Sequence, residues 1–472
     1  MLMATEESPS TAAAEPHAKR ERLFPAHLAP IDRFLLDDDS PSHPMTYVIQ
    51  MECRGVFDRE AFEAALAGAV DRHPYTRAII GPGKRGLLSW LDSRGERPTV
   101  NWGRWDEPLD LPDGEAIDIR QRVGLRVWVR EDEERSRVVF QWHHSVSDGT
   151  GAFRFIGDAL ALYDQSKGGE KSKLLPLNPS LLRDRRSRMS LAYVAGDRRG
   201  ILRAVWGLVR GVFMRRAAPL TLPAERGEST FPGFFLHTFS REETAALRQS
   251  ADSASVMLND LLVERMFQTM REWNRRHGKP NPRKPLRVMM PADLRESPET
   301  EMPAANMVSY NFLSRRSSDC DTPEALLRSV ANETDRIKHA QTGKAFIDAI
   351  SAGEVAPWAV PWLLRRGWCL ATTVFTNNGD PARRMNARLP REKGLLTAGG
   401  VVVERFSGVP PLRPRTHVVL AAMTYGRQLT LSVRCDPNHF GDADSEAFLE
   451  LLLERLRETI TATTPNARAA TA

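Results

Sequence analysis

The sequence predicts an α/β sandwich. Segments rich in β-branched and aromatic residues, the mark of strands, alternate with segments whose apolar residues recur every three or four positions, the mark of helices. The chain has 472 residues, 41% of them hydrophobic and 27% charged. That suffices for substantial cores in one large or two medium domains. No strict internal repeat accompanies the alternation.

Composition narrows the function. Net charge is +6 and the Lys and Arg residues are dispersed among Asp and Glu, so there is no nucleic-acid footprint. Cys53, Cys320, Cys369 and Cys435 are too far apart for a metal-type pair or a disulfide framework. This fits a reducing compartment, and no secretory signal is visible, so the expected location is the cytoplasm. Residues 1–22 and 461–472 are rich in Ala, Thr and other small or polar residues and are read as disordered tails.

Order begins near Leu23. Tyr47–Cys53 alternates as a first strand. Asp58 caps a helix over Arg59–Val70, with Phe62, Leu66 and Val70 on one stripe. The helix stops before Pro74, and His73 is read as structural. Leu87–Leu91 and Leu125–Val129 are further strands. Val138–Trp142 is a buried strand that runs into His143-His144-Ser145-Val146-Ser147-Asp148-Gly149. Phe153, Ile156, Leu160 and their neighbours then mark a helix. The histidine pair therefore sits where a strand leaves its sheet and turns toward a helix, a junction that can aim a side chain while leaving room for substrate.

A neutral imidazole can take a proton from a hydroxyl, amine or thiol at neutral pH and return it later. His144 is the candidate base. His143 points to the opposite face in extended backbone and would pack or support. Asp148 could accept from an imidazole or hold the turn, and Gly149 permits a sharp turn. The plainer reading is two partly buried histidines and an Asp-Gly turn.

The stretch His143-His144-x-x-x-Asp148-Gly149 resembles the signature of the superfamily of CoA-dependent acyltransferases and peptide-synthetase condensation domains, whose fold is like that of chloramphenicol acetyltransferase. Within it the chain looks closer to wax ester synthases, diacylglycerol acyltransferases and alcohol acyltransferases. Pro30–Leu35 and Arg72-His73-Pro74-Tyr75-Thr76-Arg77 resemble further family segments. The resemblance implies two chloramphenicol acetyltransferase-like halves forming a pseudo-dimer around a tunnel. It implies that His144 is the general base, that Asp148 is mainly structural, often through a salt bridge, and that Gly149 keeps the passage open. It departs from the plant and condensation-domain branches in lacking an Asp-Phe-Gly-Trp-Gly segment, and from wax ester synthases in lacking a tryptophan within Pro30–Phe34.

The first half is assigned to residues 23–188 and a connector to 189–234. Residues 189–214 mix arginines with Leu191, Tyr193, Val194, Ile201, Trp206 and Phe213, too charged for a membrane span. They could form a basic amphipathic helix at the inner face of a membrane, a cover over a channel, or a connector packed between halves. The second half is assigned to 235–460. Ser240-Arg241-Glu242-Glu243 offers a capping box. A long helix runs from Ala254 to Arg276. Its Asn259-Asp260 pair resembles a wax ester synthase landmark near the site, while physically it is a polar cluster at a helix start. Leu286–Arg295 reads as strand and turn, and Asn306–Phe312 as a strand whose Asn306 also has a family counterpart. Thr322–Ile337 reads as an amphipathic helix, and Ala349–Leu364 as apolar wall or core. Thr372–Gly379 resembles a segment of alcohol acyltransferases in which Asn377 could orient a carbonyl or acceptor. An Asn-Gly turn explains it equally. Gly400–Val403, Thr416–Tyr425 and Gln428–Arg434 are strands, the last two joined at Gly426, and Phe448–Ile460 is a terminal helix.

The expected reaction is acyl transfer from an acyl thioester, with acyl-CoA as cosubstrate, to a small alcohol or amine. No metal and no tightly bound cofactor are expected. Ser145, Ser147 and Asn377 are candidate oxyanion donors. The alternatives are a freestanding condensation domain using a carrier-protein thioester, and a noncatalytic binding or scaffold protein on the same fold. A Gly-x-Ser-x-Gly elbow is absent, which disfavours a conventional serine hydrolase.

Overall fold

The computed structural model describes residues 23–183, 185–190, 198–278, 281–340, 342–352 and 357–469. The expected tail 1–22, and Leu191, Tyr193 and Val194 of the connector, lie outside them. The described chain builds two lobes, each a mixed sheet with helices packed on it.

The first lobe's sheet has seven strands, in the order Arg391–Glu392, Leu395–Ala398, Val401–Val409, Thr46–Arg54, Arg135–His143, Leu125–Glu131, Val100–Arg104. Helices Arg59–Arg72 and Gly149–Ser166 pack on each other and bury Phe62, Leu66, Phe153, Phe155 and Ile156. Asp58 caps the first of them as expected, accepting from the Ala61 N–H at 3.0 Å. The second sheet has six strands, in the order Val308–Arg315, Leu286–Asp293, Thr373–Gly379, Val418–Tyr425, Gln428–Cys435, Phe235–Thr238. Helices Arg241–Ser253, Leu258–His277 and Asp442–Ala469 pack together on its core side. The Ser240–Glu243 capping box is present, and Gly426 (φ +57°) and Arg427 (φ +69°) turn the hairpin.

The sheets do not divide the chain where the sequence boundaries fall. Val401–Val409 lies within the span assigned to the second half, yet it pairs along Thr46–Arg54, with Gly408 opposite Ile49 and Phe406 opposite Met51. Gly408 makes the close approach at φ +154°; a Cβ there would lie 2.1 Å from the Val48 carbonyl oxygen. The last helix runs on to Ala469, past the Ile460 boundary at which a disordered tail was expected. The expected helix start at Ala254 is also corrected. Ser255 has φ +55° and the long helix begins at Leu258, with the preceding helix ending at Ser253.

In the connector, helix Arg198–Leu208 continues into a wider-turned segment, Val209–Met214. Val212 and Phe213 are buried, while Leu202 and Trp206 are exposed. The buried Arg287 guanidinium donates to the carbonyls of Gly211, Val212, Arg215 and Leu370, which pins the segment to the second sheet. Among the described residues no helix is long and apolar enough to cross a membrane.

Candidate active site

Strand Arg135–His143 ends at His143, residues 144–146 turn, and Asp148 caps helix Gly149–Ser166 through the Gly151 N–H at 2.8 Å. The turn is held from both lobes. From the first, the Met45 carbonyl accepts the His144 N–H at 2.7 Å. From the second, the buried Asn306 amide donates to the carbonyls of His144 (2.5 Å) and Ser145 (2.8 Å). The Met307 N–H reaches Asp148 Oδ2 at 2.7 Å.

Asp148 is saturated. Besides two backbone N–H groups it takes a bidentate pair from Arg295, at 2.9 and 3.0 Å. Both side chains are about nineteen-twentieths shielded from solvent (5% and 6% exposed). Burial alone would raise the Asp148 carboxyl. Arg295 and the two N–H groups outweigh it and hold the group below its ordinary value. Asp148 is thus an organiser joining the lobes, with no free oxygen to work on an imidazole.

His143 and His144 diverge as alternation requires. His143 is fully buried. Its Nδ1 accepts the Ser145 N–H at 3.2 Å, which leaves the ring proton on Nε2, 3.6 Å from Asp39 Oδ2. Burial would raise Asp39, but the His143 ring and the Met45 N–H hold it below the usual carboxylate range. His144 is only half-buried. Its Nδ1 is shielded and makes no hydrogen bond of ordinary geometry, so the accessible ring edge is that of Nε2. The Tyr47 ring lies edge-on at 4.9 Å. Burial pushes His144 below the imidazole value of 6.5, against the opposing pull of its own carbonyl and of Asp148. At neutral pH the ring is therefore uncharged and able to accept a proton.

Two cavities meet at His144, and both are also lined by Pro291 and Pro410. One, of about 110 Å³, is the more polar of the two, with Thr150, Asp293, Thr376, Asn377, Asn378 and Arg384 set among apolar residues such as Val48, Val308 and Met423. The other, of about 40 Å³, is apolar, with Phe34, Phe213, Met289, Phe312, Phe346 and Leu370. Phe213 comes from the connector, so that segment covers the apolar side. Phe34 also lines an outer basin of about 600 Å³ beside Leu87, Leu88 and Val360.

The remaining sequence candidates divide. Gly149 lines the polar cavity, and a Cβ there would lie 3.0 Å from Asn378 Oδ1. Asn377 and Asn259 come together, Nδ2 to Oδ1 at 3.2 Å, and Asn377 Oδ1 accepts the Gly379 N–H at 3.0 Å. Asp260 is a buried cap that accepts from the Met257 N–H (3.1 Å) and the Thr334 hydroxyl (2.8 Å), and it lines neither cavity. Ser145 and Ser147 are corrected as oxyanion donors. Both are fully buried, and their hydroxyls donate to the carbonyls of Asp32 and Asp148. Sequence reasoning missed Asp39, Tyr47, Asn378 and Arg384. It placed Arg295 in a turn after a strand and gave Asn306 a family counterpart without seeing what they hold. Arg384 joins the lobes at the polar cavity by donating to Thr150 Oγ1 at 2.7 Å and to the Asn378 carbonyl at 2.5 Å.

No protein-family model matches the chain. An uncharacterized protein of Mycobacterium tuberculosis (strain ATCC 25618 / H37Rv) is 26% identical over 348 residues, 70% of this chain and 76% of that protein. The first condensation domain of the calcium-dependent antibiotic synthetase, solved with a substrate analogue, superposes with a TM-score of 0.66 at 14% identity, covering 92% of this chain and 96% of that one. The starter condensation domain of rhizomide synthetase, solved with C8-CoA, gives 0.63 at 13%, covering 93% and 95%. At such identities these structures speak for the fold alone. The two sheet-and-helix lobes are those of the pseudo-dimeric condensation-domain and chloramphenicol acetyltransferase-like fold.

Proposed function

We propose that the protein is an acyltransferase that moves an acyl group from a pantetheine thioester to a hydroxyl or amine, with His144 as general base. The observation that carries this reading is the accessible, neutral His144 ring between two cavities, one bearing polar groups and the other apolar. His144 Nε2 takes the acceptor's proton as its oxygen or nitrogen attacks the thioester carbonyl. The tetrahedral intermediate collapses with loss of the thiolate, which receives the proton back from His144. Thr376, Asn377 and Asn378 on the polar wall supply hydroxyl and amide groups for the oxyanion. The apolar side, about 40 Å³, suits the carbons of the acyl chain next to the carbonyl. Asp148, Arg295, Asn306 and His143 fix the turn that aims the base.

Likeness to condensation domains favours a carrier protein as the source of the thioester. A free acyl-CoA donor, as in the alcohol acyltransferase and wax ester synthase branches, is the second reading, favoured by the starter domain's complex with C8-CoA. The test incubates the protein with acyl-loaded carrier protein or with acyl-CoA, each against a panel of alcohols and amines, and identifies products by mass spectrometry. His144→Ala should stay folded and lose about 10²–10⁴-fold in rate. Wild-type turnover by folded His144→Ala would sink the mechanism, and turnover with one donor alone decides between the two sources.

A further inference from the structure

Three of the chain's eleven histidines converge on one aspartate away from the candidate active site. His417 and Asp436 extend the hairpin by one cross-strand position beyond the Val418–Cys435 pair, and the Asp436 N–H donates to the His417 carbonyl at 2.9 Å. Asp436-Pro437-Asn438-His439 is a tight turn, with the His439 N–H on the Asp436 carbonyl at 3.0 Å. This brings His439 back over the same point, its ring 5.3 Å from that of His417. One ligand-capable atom from each of His417, Asp436 and His439 lies within 4.8 Å of the others.

The surroundings prepare these groups as ligands. His417 faces the Leu220 carbonyl through Nδ1 at 3.0 Å, which places the proton on Nδ1 and leaves the Nε2 lone pair free to bind. Asp436 is fully buried and is oriented by the Asn438 N–H at 3.0 Å and by His43 Nε2 at 3.2 Å. His43 belongs to the first-lobe turn that leads into Met45, so the cluster spans both lobes.

We propose that His417, Asp436 and His439 form a divalent-metal site of the zinc class, with His43 orienting the carboxylate and solvent taking the fourth position. Two imidazoles and a carboxylate are a donor set suited to zinc, which is held tetrahedrally at about 2.0–2.2 Å. Ligand atoms around such an ion are about 3.3 Å apart, so the cluster must tighten by up to about 1.5 Å. The exposed His439 side chain, on its surface turn, can make that movement. Bound metal would tie the Ser40–His43 turn to the second sheet, two residues before the carbonyl that holds His144.

The test uses the full chain, stripped with a chelator and titrated with Zn²⁺ by calorimetry and with Co²⁺ by visible absorption. One Co²⁺ per chain with the d–d bands of a four-coordinate centre is expected, together with a Zn²⁺-dependent rise in melting temperature. His439→Gln, a surface change compatible with folding, should abolish both. His339→Gln, at the exposed His339–Asp335 pair, and His144→Ala should leave both unchanged. Absence of saturable binding, binding that survives His439→Gln, or binding lost with His339→Gln or His144→Ala would overturn the proposal.

Discussion

Replacing Arg295 by methionine leaves the Asp148 carboxylate stranded at the junction of the lobes. Because both side chains are about 5% exposed, solvent screening offers little relief. The two charge-assisted hydrogen bonds, at 2.9 and 3.0 Å, are each worth about 1.5–3 kcal/mol. Removing one member of a buried pair costs about 3–5 kcal/mol, and we expect Arg295→Met to lose that much. Asp148→Asn leaves the guanidinium with only Asp293 and the Ala305 carbonyl as partners. The double variant strands neither charge, so it should lose less than the sum of the singles, with a coupling of about 1–3 kcal/mol. Equilibrium urea unfolding followed by tryptophan fluorescence measures all four proteins. A pH arm adds a signed check. Asp148 is held below its ordinary value, so its contribution is complete above the unfolded carboxyl pKa, about 3.9, and is lost as pH falls through the depressed folded value. In Arg295→Met only the Gly151 and Met307 N–H groups still oppose burial, and the acid transition should move to higher pH. Destabilisation below about 1 kcal/mol, additive singles, or an unmoved acid transition would refute the organising role assigned to the pair.

Other perturbations test other parts of the site. Since burial lowers His144 below 6.5, kcat/KM should fall only on the acid side, with its half-maximal pH below 6.5. A half-maximal pH above 6.5 would contradict a neutral, half-buried base. Gly408→Ala puts a Cβ 2.1 Å from the Val48 carbonyl at φ +154°. It should cost at least about 1–3 kcal/mol in backbone strain alone, read as a lowered unfolding midpoint. Phe34→Ala removes the ring shared by the apolar cavity and the outer basin, and should lengthen the acyl chains accepted in a competition among thioesters, with acceptor preference unchanged.

Much of the site was legible because its signals are local. A strand ending in two histidines, an aspartate that caps the next helix and a glycine after it are all set by neighbours within a few residues. What could not be read was set by partners far along the chain. Arg295 is 147 residues from Asp148 and Asn306 is 162 from His144, and no pattern ties them. The direction of side chains in the turn was equally hidden. Ser145 and Ser147 have the right chemistry for an oxyanion, but in a turn the period of two no longer applies, and both point inward. Gly400–Val403 announced itself as a strand by its apolar run, yet a run of apolar residues does not say which sheet it joins or that the strand continues to Val409.

That strand has a consequence for how the chain is made. Thr46–Arg54 has a neighbour on one side once Arg135–His143 is complete, but its other edge stays open until Val401–Val409 emerges, some 260 residues later. At about 5–20 residues per second, synthesis leaves that edge bare for roughly 13–50 seconds. A bare edge beside Val48, Ile49 and Met51 is a template for pairing with another nascent chain. Biogenesis, rather than the stability of the finished molecule, is then the stage at which this protein is most exposed to aggregation.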